Sequence, residues 1–397
     1  VKLTIPVPER FSAWLDRHER ICLLALFFAA AAALAIHALS LPFENGGPDG
    51  LKYERLGAHA ALAPGILDCD NFPHAYWPPG WIMTIGVLYK IFRPSGTLLR
   101  LFQIAVALAT AWLIHRVAAR MAGRLPAWLA SAFFLLSSLT FTFTAFYQYD
   151  LLLGFMLFLS GVVLFAGGAG KRDALRGVCS GILLAFAALL SSKVLAAAPI
   201  FALASFRGRS RRGALAAVGG FVVGIALVIA PWTIHNYRCT GELILVTTNG
   251  GINLYIGNNP LSTGGYHLPP EDSRPPYELY ESAKWRREAV SYMREHPEET
   301  LRRTATKALF FWNPHFGDQA LLIAAFALGL VRLARRRILA SPPILWVWFL
   351  PFILMAVHMF FFVDPRYFVG ILPSVATIAG VGAAGLFRQT RAAPGVL

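Results

Sequence analysis

Apolar residues along the chain gather in long unbroken runs, where an alternating strand or a one-sided surface helix would be interrupted every few positions. Ten runs approach the roughly 20 residues that a helix needs to cross a bilayer. They extend from Ile21 to Leu41, Leu98 to Ala118, Leu125 to Phe146, Leu151 to Gly168, Gly177 to Leu190, Val194 to Phe206, Leu215 to Ile234, Gln319 to Leu333, Ile344 to Val363 and Phe368 to Phe387. The fifth and sixth are short, and the basic residues Arg207, Arg209, Arg211 and Arg212 that follow must lie in water. A hairpin that returns them to the side of Lys171 is therefore expected. The first run is longer than the core of about 7 to 15 residues in a signal peptide and follows a tail of mixed charge, so it is read as an anchor.

Composition agrees with that pattern. Of 397 residues, 56% are hydrophobic and 14% charged, with a mean hydropathy of +0.56, where a soluble domain carries about 25% charged residues. A soluble globular protein, a disordered chain and a disulfide scaffold are excluded, the last by a cysteine count of only 4. The formal net charge of +15 is unevenly placed. With spans of alternating direction, the amino-terminal tail shares one side with the loops at Arg116 to Arg124, Lys171 to Arg176, Arg207 to Arg212, Arg332 to Arg337 and Arg388 to Arg391. That side holds 20 of the 36 basic and 4 of the 21 acidic residues, net +16 against −1 for the other. The positive-inside rule makes it cytoplasmic, with the N-terminus. The excess charge is then a topological signal, and no nucleic-acid partner is expected.

The chain is read as one integral-membrane domain over 1–397 with two long outer segments, 42–97 and 235–318, where chemistry has room to sit. In the second, Trp285, Ala289, Tyr292 and Met293 recur at helical spacing, and after His296-Pro297 the pattern resumes through Leu301, Ala305, Ala308 and Leu309. Two amphipathic helices lying along the membrane surface or lidding the site are expected.

Ionisable residues gather at the outer ends of the spans: Asp49 with Lys52 and Tyr53 after the first, then Asp150, Lys193, and Asp364 with Arg366. Charges at membrane depth are costly and face a cavity or a partner, so this clustering points to a site at the outer surface. Asp49 also suits a helix N-cap. A third feature is the Gly- and Asn-rich stretch from Thr247 through Asn258 and Asn259 to Tyr266, which permits close backbone approach and offers amides and aromatic faces to hydroxyl-rich ligands. Cys69 and Cys239 fall on the outer side, where a disulfide is possible. No spacing reads as a zinc site, a nucleotide loop or a nucleophile elbow.

Taken in order, Asp49 with Tyr53, Tyr76-Trp77-Pro78-Pro79-Gly80-Trp81 ahead of a run ending Tyr89-Lys90-Ile91-Phe92, the motifs Pro231 to Tyr237 and Gly250 to Tyr266, His296-Pro297, and Arg366-Tyr367 ahead of Pro373 make the chain resemble a known family. It is similar to the bacterial membrane glycosyltransferases of the GT-C fold, the superfamily of protein O-mannosyltransferases and the lipid A aminoarabinose transferase. The resemblance implies an all-α polytopic membrane protein with about ten transmembrane helices and juxtamembrane helices in its periplasmic loops, in a bacterial inner membrane. It implies an inverting glycosyltransferase that uses a sugar on a polyprenyl phosphate, needs no cofactor, and transfers to a glycan, lipid or protein.

In that family the first-loop acid is catalytic, a role carried onto Asp49. Around it Arg366, Lys193 and Lys52 are expected to bind donor phosphate, and Tyr53, Asp150, Asn258, Asn259 and Tyr266 to bind substrate, with no metal ligands. Asp150 stands where many relatives have Glu, and Lys193 and His235 where they have Arg. Asp49 is flanked by Pro48 and Gly50 where relatives often show a second acid, which argues against a true protein O-mannosyltransferase. Two other classes would suit so apolar a chain. A transporter would show midplane charges or broken spans in related halves, and an assembly subunit would not need the outer carboxylates.

Overall fold

Helices account for nearly all of the computed structural model, which describes residues 5–7, 9–42, 47–62, 69, 75–146, 148–165, 170, 172–266, 278–337, 339 and 341–389. In chain order they are α1 (Glu9–Ser40), α2 (Gly47–Leu62), α3 (Pro79–Phe92), α4 (Gly96–Ala122), α5 (Arg124–Leu135), α6 (Ser138–Ala145), α7 (Asp150–Phe165) and α8 (Asp173–Leu190). A 3₁₀ turn, Ser192–Ala197, leads into α9 (Ala198–Ser205), followed by α10 (Arg211–Thr240), α11 (Gly250–Gly257), α12 (Glu278–Glu295), α13 (Pro297–Trp312), α14 (Gly317–Arg335), α15 (Pro342–Phe360) and α16 (Tyr367–Ala384). A short parallel pair joins β1 (Ile5–Val7) to β2 (Phe387–Gln389).

Six helices are long and apolar enough to cross a membrane: Arg17–Ser40 of α1, α4, α8, α10, α14 and α16. The pair α5 and α6, bent by 46°, makes a seventh if counted as one span. The remaining expected runs fall on shorter apolar helices: α7, Ser192–Ser205, and Ile344–Phe360 of α15. A helix of 16 residues such as α7 rises only about 24 Å, short of the roughly 30 Å hydrocarbon core. Length and composition therefore give six or seven spans among the described residues, below the ten expected.

The core is organised around α16, which is buried along nearly its whole length and packs on α4, α5, α7, α14 and α15. The expected hairpin forms between α8 and Arg209: the Arg209 Nε donates to Asp173 Oδ1 at 3.1 Å, both side chains nearly buried. Small residues let α8 and α10 touch through their backbones. A Cβ added at Gly177 or Gly181 would strike the backbone of Ala217 or Phe221, and one at Gly220 or Gly224 that of Ala174 or Val178. This is the close packing that membrane helices use in place of a hydrophobic drive. At the break between α5 and α6, Asp318 from the start of α14 accepts from the Ser138 backbone N–H at 2.9 Å and from its hydroxyl at 2.7 Å, satisfying donors that the bend exposes.

The helices α12 and α13 differ from each other in what they bury. Trp285 and Ala289 of α12 pack against α11, with the Trp285 ring 4.4 Å from Tyr255, so protein covers this apolar face. In α13 the polarity is inverted: Leu301 and Leu309 are 72% and 73% exposed, while Arg303 and Lys307 are buried. Leucines that face outward beside a membrane are in an apolar solvent, so the usual inside-outside pattern reverses.

Candidate active site

The starts of α2, α7 and α16, the 3₁₀ turn after α8 and the start of α11 converge on one point. Asp49 stands in the first turn of α2, where a carboxylate complements the helix dipole. Arg366 immediately precedes α16, and its Nη1 meets Asp49 Oδ2 at 2.6 Å. The same guanidinium has its Nε 3.8 Å from Asp364 Oδ1, and Asp364 Oδ1 accepts from the Arg366 backbone N–H at 3.0 Å, fixing the turn. One helical turn after Asp49, Tyr53 lies edge-on to Trp77 and Tyr149, with ring centroids 5.4 and 5.8 Å away.

Across the cavity Lys193 stands in an aromatic cage. Its Nζ donates to Tyr367 Oη at 3.2 Å and lies 5.4, 5.0 and 4.5 Å from the ring centres of Phe361, Phe362 and Tyr367, positions that favour a cation electrostatically. A neutral chain completes the wall: the Ser192 and Thr247 hydroxyls share a hydrogen bond at 3.2 Å, and Thr247 donates to Asn249 Oδ1 at 3.0 Å. The 244–249 segment is held by Trp232 Nε1 and Asn236 Nδ2, which donate to Val246 O and Ile244 O at 2.9 Å each. Its Thr248 N–H reaches Ala75 O at 2.9 Å and so docks it beside Tyr76 and Trp77.

These groups enclose a polar cavity of about 80 Å³ lined by Asp49, Tyr53, Tyr76, Trp77, Tyr149, Ser192, Lys193, Asn249, Asn253, Tyr266, Phe362, Arg366 and Tyr367 among others. Burial, then nearby acidic groups, pushes the Tyr53 phenol well above its usual range and that of Tyr266 upward, so both remain neutral hydrogen-bonding groups. Next to it is an apolar cavity of about 760 Å³ lined by Ala196, Ile200, Leu254 and residues of α15 from Phe349 to Phe360, with Phe361. Neighbouring residues serve the two: Asn253 and Leu254, Lys193 and Ala196, Phe362 and Phe361 line the polar and the apolar cavity respectively.

Of the residues singled out in the sequence, Asp49, Tyr53, Lys193, Tyr266 and Arg366 come together here. Asp150 is buried just behind, within the field of Arg366, Asp364 and Asp49, and its Oδ2 has no hydrogen-bond partner among the described residues. Lys52 is exposed and stands over the Trp77 ring at 4.5 Å, outside the cavity lining. Asn258 and Asn259 stand apart from the cavity. Their amide groups donate to backbone carbonyls, Asn258 to Leu254 O and Phe360 O at 2.8 and 2.7 Å, Asn259 to Tyr255 O at 2.8 Å, and neither lines the cavity. The residues sequence reasoning missed are Asn249 and Asn253, whose i, i+4 spacing was a readable sign of a shared helix face, and Ser192.

Cys69 and Cys239 are joined as a disulfide with Cα atoms 5.3 Å apart, tying the first outer segment to the end of α10. His235 completes a cluster whose possible ligand atoms lie within 4.8 Å of one another, but both sulfurs are committed to the bond.

No protein-family model matches the chain, and no curated protein matches it. Among solved structures it is similar to ArnT from Cupriavidus metallidurans bound to undecaprenyl phosphate, with a TM-score of 0.59 and 15% identity over 91% of this chain and 60% of that one. It is also similar to an oligosaccharyltransferase from Archaeoglobus fulgidus. The apo form gives a TM-score of 0.54 and 13% identity over 91% of this chain and 50% of that one. The complex with Zn and sulfate gives 0.55 and 13%, over 90% and 48%. The chain thus spans about three fifths of the one and half of the other. It has the fold of these membrane proteins, the all-helical GT-C fold that the sequence resemblance implied.

Proposed function

We propose that the chain is a glycosyltransferase that moves a sugar from a polyprenyl-phosphate donor to an acceptor at the periplasmic face of a bacterial inner membrane. The observation that carries this reading is the pair of adjoining cavities, one polar and charged, one apolar, lined by residues one to three positions apart in the same segments. A ligand suited to both has a charged head covalently joined to a long apolar tail. The similar ArnT structure is bound to undecaprenyl phosphate, an amphiphile of that class. The neutral wall of Ser192, Asn249 and Asn253 and the rings of Tyr53, Tyr76 and Trp77 suit the hydroxyls and the apolar face of a sugar.

In the proposed reaction the acceptor oxygen bonds to the anomeric carbon as the bond from that carbon to the phosphate oxygen breaks. The electron pair leaves with polyprenyl phosphate, whose charge Arg366 and Lys193 stabilise. The acceptor hydroxyl's proton goes to Asp49. Arg366 holds Asp49 at 2.6 Å, and an arriving phosphate competes for that guanidinium, releasing the carboxylate to act as base. An acceptor already ionised, such as a lipid phosphate, needs no base, and Asp49 then orients it.

Asp49→Asn tests the assignment. Asn nearly keeps the shape and still suits the first turn of α2, but it cannot take a proton. Transfer of radiolabelled sugar from a polyprenyl phosphate to a hydroxyl acceptor is expected to fall roughly 100-fold or more. Activity within a few-fold of wild type, at equal amounts of monodisperse protein, would refute the base role.

A further inference from the structure

The C-terminus of α15 lies beside this site and is held by two residues that do not line it. A helix leaves its last carbonyls without intrahelical partners and concentrates negative charge there. Met359 O accepts from Lys307 Nζ at 3.3 Å, and Phe360 O accepts from Asn258 Nδ2 at 2.7 Å. Lys307 Nζ also donates to Asn258 Oδ1 at 3.0 Å. Three elements, α13, the end of α11 and the end of α15, thus meet in one buried polar junction. Lys307 is 0% exposed on a helix whose leucines point outward, an arrangement that is costly for an ammonium group unless its hydrogen bonds are met. Burial, with Arg303 nearby, pushes that group down to about 8.

The junction continues toward Arg366. The Lys307 stem packs on Gly264, where an added Cβ would lie 3.2 Å from Lys307 Cγ and where φ is +92°. Gly264 O in turn accepts from Val363 N at 2.9 Å. Val363 is followed by Asp364, which fixes the turn of Arg366. We propose that Lys307 is a positioning residue: with Asn258 it caps α15 and fixes the 361–366 segment, so that Arg366 stands opposite Asp49.

Hydrogen exchange on the purified full chain in nanodiscs tests this. In Lys307→Met, amides of residues 361–368 are expected to exchange roughly tenfold faster while those of α8 and α10 keep their protection. Propylamine added to Lys307→Ala is expected to restore protection at 361–368. Asn258→Ala removes the cap from its other side and is expected to give the same local pattern, with the double variant exchanging no faster than the faster single one. Unchanged exchange at 361–368, loosening spread evenly over the protein, or additive effects in the double variant would each overturn the proposal. The readout needs no substrate, so it stands or falls separately from the glycosyl-transfer reading.

Discussion

Arg366 is shared between two carboxylates, Asp49 at 2.6 Å through Nη1 and Asp364 at 3.8 Å from Nε. A planar guanidinium can face both at once, whereas an ammonium is a single point of charge. Arg366→Lys keeps the net charge and loses the bridge, so kcat/KM for sugar transfer is expected to fall about 10- to 100-fold with the protein still monodisperse. A loss under threefold would remove the bridge from the account. The polar residues at the ends of the apolar runs, Asp49, Lys193 and Arg366 among them, were legible in the sequence because charge at membrane depth demands a reason. Asn258 and Asn259 were less legible, because an amide in a Gly-rich stretch announces a close partner without saying whether that partner is ligand or backbone, and here their amide groups donate to backbone carbonyls. Lys307 was hidden by its surroundings: on a helix with so many charges it reads as one more solvated cation, and only contacts with Asn258 and Met359 reveal it as buried.

The α8 and α10 pair depends on the absence of side chains at four positions. Gly181 has its nearest neighbours in the Phe221 carbonyl and the Ile225 backbone nitrogen, neither of which can rotate away. Gly181→Leu must push the helices apart, and a loss of about 1 to 3 kcal/mol or more is expected from overpacking. Thermal denaturation in detergent checks it, and a melting temperature equal to wild type would show that the pair tolerates separation. The helices themselves were readable from apolar runs, but the break at Leu136 and Ser137 was not. The run from Leu125 to Phe146 is continuously apolar, and what stabilises the bend is Asp318, 180 residues beyond Ser138. Likewise the apolar stripe of α12 was evident in sequence, while its cover, α11, was not, because periodicity identifies a face and not its partner.

Orientation in the membrane rests on charge, net +16 against −1, and the structure refines how to test it. Arg209 is a poor labelling site because its guanidinium pairs with Asp173, and Gly264 has φ +92°, which strains any side chain. Arg211 and Leu261 are exposed, the first at the start of α10 and the second beyond its end. With Cys22 and Cys179 replaced by serine, an impermeant maleimide is expected to label Leu261→Cys in intact cells and Arg211→Cys only after permeabilisation. The opposite result would invert the topology.

The Cys69–Cys239 bond imposes a condition that neither hydropathy nor charge supplies, one of parity. Two bonded sulfurs share a compartment, so the chain between them crosses the bilayer an even number of times. The helix α4, the bent pair α5 and α6, α8 and α10 provide four crossings, already an even number. Three shorter apolar segments also lie in that interval, α3, α7 and Ser192–Ser205, and of these two or none must therefore cross. The Arg209 contact with Asp173 brings the chain after Ser205 back to the level at which α8 began, which makes Ser192–Ser205 a return crossing once α8 is one. Parity then requires one more crossing, from α3 or α7. Leu164 O near the end of α7 also accepts from Arg209 Nη2, while Asp150 at its start lies in the field of Arg366, so the crossing is that of α7, although its 16 residues fall short of a full bilayer. The bilayer around α7 is accordingly expected to be thin or wetted at one mouth, the mouth where Asp150 begins the helix.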